Sequence, residues 1–140
     1  MISTETFITL VRIAGIGQIC MMIVFMLTVP GALRWADTLR TMPRLHRQIH
    51  TAYSKYVQFT GIGLGIFSAV FPEDIASGAG LGQAVALFTG MFWAGRLLLQ
   101  KLYDTRPYLT TPLLLAGYHT LTVIFTLLTA LYLWVGTYRI

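Results

Sequence analysis

Four long apolar runs, separated by short polar or basic stretches, set the plan of the chain: Phe7 to Val29, Tyr53 to Phe71, Leu81 to Leu102 and Pro112 to Val135. A helix needs about 20 mostly apolar residues to cross a bilayer, and each run meets or approaches that length. The links are too short to build a soluble domain, and short links join antiparallel neighbours. The pattern therefore predicts an all-α fold: one transmembrane domain over residues 1–140, an integral membrane four-helix bundle running up-down-up-down.

Local signals set the ends of these helices. Ser3 or Thr4 can cap the first helix, with Glu5 in its opening turn, and Pro30-Gly31 reads as its stop. Thr41 with Pro43 predicts a second helix that starts near residue 43, ahead of the membrane, and Thr110-Thr111-Pro112 repeats the same opening for the last helix. Residues 32–42 carry Arg34, Trp35, Asp37 and Arg40, the make-up of a segment lying against headgroups. The Gly61-Ile62-Gly63-Leu64-Gly65 run lacks the strand-turn-helix context of a phosphate loop, so its expected role is close helix packing.

Composition agrees with the pattern. Of 140 residues, 56% are hydrophobic and 11% charged, with a mean hydropathy of +0.69; a soluble domain carries about 25% charged residues. No basic leader or cleavage signal precedes the first apolar run, which is expected to be retained as a span. The net charge of +5 matters through its placement and does not imply nucleic acid. Arg34, Arg40, Arg44 and Arg47 lie in the first link and Lys101 and Arg106 in the third, whereas Glu73 and Asp74 lie in the second. The positive-inside bias puts the basic links in the cytoplasm and both termini on the non-cytoplasmic side, as in a bacterial-type inner membrane. Trp134, Tyr132 and Tyr138, with Arg139 beyond, would form an outer aromatic belt.

The polar residues inside the spans are the candidates for chemistry. Arg96, Gln100 and Tyr103 follow at i, i+4 and i+7, and Trp93 and Thr89 extend that face. His46, His50, Tyr53, Thr60 and Gly63 share a face of the second helix, with Tyr56 on its flank. His119, Thr122, Thr126 and Thr129 form a stripe on the last. Counting about 1.5 Å per residue puts Arg96 and His119 at the same depth, on the order of 6 to 8 Å to the cytoplasmic side of the bilayer centre. A charge at that depth needs a partner. The five acidic residues all lie near span ends, which leaves Arg96 three roles: snorkelling to Asp104, holding an anionic or carbonyl-bearing ligand, or pairing with another subunit.

Metal binding by His46 and His50 lacks a completed ligand set. A haem held by His50 and His119 would have to bridge roughly 8 Å of depth, whereas His119 with Arg96 on a propionate is easier. Cys20, the single cysteine, cannot form an internal disulfide. No nucleophile elbow, zinc-protease helix or paired carboxylates occur, so enzymatic activity is not expected.

The sequence thus predicts a cytoplasmic-leaflet pocket of Arg96, His119, Gln100, Tyr53, Tyr56 and His50. It would bind a membrane-resident cofactor or lipid, such as haem, quinone or an anionic lipid, as a subunit of a larger complex or a homo-oligomer. The alternative is a small-solute transporter or channel acting as an oligomer.

Overall fold

The computed structural model describes residues 3–137, and over that range the chain is all-helical. Six helices follow in order: α1 (Thr4–Ala32), α2 (Trp35–Thr41), α3 (Arg44–Val70), α4 (Pro72–Ala76), α5 (Gly80–Leu102) and α6 (Pro112–Thr137). Tyr138 and Arg139 of the expected aromatic belt lie outside the described residues. Among the described helices, α1 and α6 are long and apolar enough to cross a membrane. Lys55 and Gln58 dilute α3, and Gln83, Arg96 and Gln100 dilute α5.

The caps behave in three ways. Ser3 is the N-cap of α1 and its side chain accepts from the Thr6 amide. Thr111 Oγ1 accepts from the Leu114 amide at the start of α6, 3.2 Å away. At α3 the cap position is Pro43 itself, and Thr41 Oγ1 is turned back to donate to the Thr38 carbonyl. Pro30 does not stop α1. It sits in the last turn, and the helix closes around Leu33 N–H to Val29 O and Arg34 N–H to Gly31 O. Arg34, at φ 53° and ψ 46°, is the residue that turns the chain away, since a left-handed residue cannot continue a right-handed helix.

The four long helices alternate in direction and pack chiefly as two hairpins, α1 with α3 and α5 with α6. Glycines bring the backbones together. A Cβ at Gly15 would lie 2.6 Å from both Ala69 N and Gly65 O, one at Gly61 would meet Met22, and one at Gly65 would meet Gly15 O, Ile19 and Gln18. Gly90 and Gly136 do the same for the second hairpin, each facing a leucine, Leu133 and Leu87 respectively. Gly61 and Gly65 of the α3 run therefore form a packing seam, whereas a Cβ at Gly63 would meet nothing within 4 Å.

The hairpins are joined at the end where the chain begins. There α4 packs on α1 and α5, Gly82 lies directly against the Asp74 carbonyl, and Arg12 faces Glu73 at 4.0 Å in an exposed ion pair. A buried chain of hydrogen bonds closes the middle. Gln18 Nε2 donates to Tyr132 Oη at 2.9 Å, Tyr132 Oη donates to Ser68 Oγ at 2.7 Å, and Ser68 Oγ donates to Leu64 O at 3.0 Å. This ties α1, α6 and α3 together, and it removes Tyr132 from the aromatic belt: the ring is fully buried. Below it, Trp93 stacks on Phe125 at 5.4 Å and Phe25 stacks on Phe125 at 6.2 Å.

Candidate functional site

Beyond the Phe25–Phe125–Trp93 layer the two hairpins part, and a cavity of about 610 Å³ opens between them toward the basic links. The size suits a ligand the size of a small amphiphile. Phe25, Val57, Leu121 and Phe125 supply its apolar wall. Toward the mouth it becomes aromatic and polar, with Trp35, His50, Tyr53, Tyr103, Tyr108 and Tyr118. The turn between α5 and α6, closed by Tyr108 and Leu109 amides on the Thr105 carbonyl, forms part of the rim.

Arg96 and Gln100, one turn apart on α5, both line this cavity. Arg96 is half-buried, and its guanidinium lies over the Phe25 ring, 5.9 Å from the centroid, a favourable contact for a cation. Among the described residues it makes no ion pair and no side-chain hydrogen bond. The pair with Asp104 is not formed: Asp104 sits in the exposed link beyond the helix end. A desolvated cation facing an aromatic ring and an open cavity is the strongest polar feature of the site.

Gln100 is held in place. Its Nε2 donates to the Tyr118 carbonyl at 3.0 Å and to Thr122 Oγ1 at 2.9 Å, while Tyr118 Oη donates back to the Gln100 carbonyl at 3.2 Å. Lys101 Nζ lies 5.3 Å from the Tyr118 ring centroid on the same clamp. Since a carbonyl can only accept, the amide orientation is fixed, and Gln100 Oε1 is left buried without a partner. His50 Nδ1 is likewise buried and unpartnered, its ring set edge-on to Trp35 at 4.9 Å. A smaller cavity of about 300 Å³ shares Trp35, His50, Ser54 and Gln58 with the main one and reaches Lys55.

Of the six residues predicted for the pocket, Arg96, Gln100, Tyr53 and His50 line one cavity. Tyr56 and His119 do not. Tyr56 is exposed on the outside of α3. His119 is also exposed, its ring edge-on to Tyr118. The angle around α6 turns His119 away from the cavity: Tyr118, Leu121 and Phe125 take the inward face. A haem with His119 as axial ligand and a propionate on Arg96 does not fit this arrangement, and neither does one held by His50 and His119.

The threonine stripe of α6 is closed on its own helix. Thr122, Thr126 and Thr129 donate to the carbonyls of Tyr118, Thr122 and Phe125, which is how hydroxyls are satisfied in apolar surroundings. Among the described residues no group of three or more His, Cys, Asp or Glu side chains is placed to hold a metal. Sequence reasoning missed Trp35 and Tyr118; the Trp35-to-His50 contact depends on the αL turn at Arg34, which no apolar period announces. No protein-family model, curated protein or solved structure matches the chain.

Proposed function

We propose that this is a four-span integral membrane protein, with both termini on the non-cytoplasmic side, whose cytoplasmic-leaflet cavity binds a membrane-resident amphiphile with an anionic head. The membrane reading is supported by where the apolar side chains lie. Leu27, Phe59, Leu81, Leu98, Leu113 and Leu127 are all at least 60% exposed, and such residues recur around all four long helices, whereas soluble monomers rarely expose large contiguous apolar patches. Hydrocarbon is the solvent that accepts this surface. The unpaired basic residues Arg34, Arg40, Arg44 and Arg47 then gather at the cytoplasmic headgroups.

The observation that carries the binding reading is the half-buried, unpaired Arg96 guanidinium facing the 610 Å³ cavity. Guanidinium matches carboxylate and phosphate with its planar fork, and the apolar wall toward Phe125 suits a hydrocarbon tail. The threonine hydroxyls of α6 are satisfied on their own helix rather than offered to a solute, which favours binding over passage. Purification in mild detergent, followed by native mass spectrometry, lipid extraction and a visible spectrum, tests the proposal. A stoichiometric acidic lipid supports it; a ligand-free protein whose cavity takes up no anionic amphiphile refutes it.

A further inference from the structure

Arg96 accounts for an anion but not for its two silent neighbours. Gln100 Oε1 and His50 Nδ1 are both buried, both without a partner, and both belong to residues on the cavity wall. Gln100 Oε1, an amide oxygen, can only accept a hydrogen bond, and the two Nε2 hydrogens, committed to Tyr118 O and Thr122 Oγ1, keep the amide from flipping to offer a donor in its place. His50 Nδ1 is an acceptor in the Nε2–H tautomer. An unpaired buried acceptor is expensive enough that a ligand offering a donor gains over one that does not.

We propose that the cavity is built for a phosphodiester lipid whose head carries hydroxyl groups, the phosphate meeting Arg96 and the hydroxyls donating to Gln100 Oε1 and His50 Nδ1. The inference rests on the anionic-amphiphile reading and narrows it to one head chemistry. A fatty-acid carboxylate, a haem propionate or a quinone brings acceptors alone. Each could meet Arg96, and each leaves the Gln100 Oε1 acceptor unsatisfied. A quinol brings donors but no charge to balance the guanidinium. An ammonium head brings a donor together with a second cation, into a site that already holds Arg96 and adjoins Lys55 across the smaller cavity. A phosphodiester with a hydroxylated head supplies one negative charge and neutral donors together.

The test compares phosphatidylglycerol with phosphatidylethanol of identical short acyl chains, which have the same charge and differ in the head hydroxyls. Each is titrated into delipidated full-length protein in mild detergent and followed by native mass spectrometry. Wild-type protein binds the glycerol head about 10-fold or more tighter than the ethanol head, the gain expected for satisfying a buried acceptor. His50→Phe keeps the edge contact to Trp35 and brings the ratio to within about threefold, Gln100 retaining part of it. Arg96→Leu loses both lipids. Equal affinity of wild type for the two heads overturns the hydroxyl assignment and leaves the anionic reading standing. Tighter binding of phosphatidylethanolamine than of phosphatidylglycerol overturns it in favour of an ammonium donor. Failure of wild type to bind any of the three overturns the inference and the function it rests on.

Discussion

Removing one oxygen from Tyr132 tests whether the bundle is closed by its buried polar chain. In Tyr132→Phe the ring stays, but Gln18 Nε2 loses the acceptor it reaches at 2.9 Å and Ser68 Oγ loses a donor at 2.7 Å. Ser68 still donates to Leu64 O, so the main loss falls on Gln18, whose side chain is fully buried and whose Oε1 already lacks a partner. An orphaned buried group costs about 1–3 kcal/mol, and hydrogen bonds between membrane helices measure about 0.6 kcal/mol on average with a maximum of about 1.7. A destabilisation of about 1–2 kcal/mol follows. Adding Gln18→Leu removes the orphaned amide and replaces it with an apolar side chain of similar size, so the double variant should be as stable as Tyr132→Phe or more so. Reversible unfolding in mixed micelles of increasing SDS content measures all four proteins of the cycle. Additive single costs, or a Tyr132→Phe protein indistinguishable from wild type, would refute the reasoning.

Further expectations concern the packing and the orientation. Gly15→Ala should cost about 1–3 kcal/mol in the same unfolding assay, because its Cβ would meet backbone atoms of α3 at 2.6 Å and a packed backbone does not yield cheaply. Gly17→Ala, on the same helix with nothing within 4 Å, should be neutral or slightly stabilising through helix propensity; equal costs at both sites would remove the close α1–α3 seam from the account. For topology, cysteines at Ser77 and Thr38 in a Cys20→Ala background should differ toward an impermeant thiol reagent on intact cells, with the Ser77 position alone reacting. The reverse labelling would move the cavity to the outer leaflet.

Much of the fold was legible because it depends on one-dimensional signals. The apolar runs located α1, α3, α5 and α6, and Ser3 and Thr111 announced their caps through side chains that act within one turn. The seam at Gly61 and Gly65 followed from residue size. What lay hidden was rotation about the helix axis. α6 is apolar on nearly every side, so its sequence period does not say which face turns inward; His119 and Tyr132 were consequently misplaced, one expected inside and found exposed, the other expected at the interface and found in the core. On α5 the polar stripe did mark the inward face, since Arg96 and Gln100 both line the cavity. Pro30 misled for a different reason: in the last turn of a helix a missing N–H disturbs little beyond it, and the chain turned only where Arg34 adopts φ 53°.

The most direct measurement of the central claim is native mass spectrometry of wild-type protein and Arg96→Leu, released side by side from the same mild detergent and paired with their thermal stability. Leu is favoured over Arg for membrane insertion by about 3 kcal/mol, so the variant should insert and fold at least as well as wild type. If the cavity exists to hold an anionic head on Arg96, wild type carries a stoichiometric acidic lipid and the Leu variant carries none, its stability preserved. An Arg96→Leu protein that keeps the same lipid at the same stoichiometry would contradict the account.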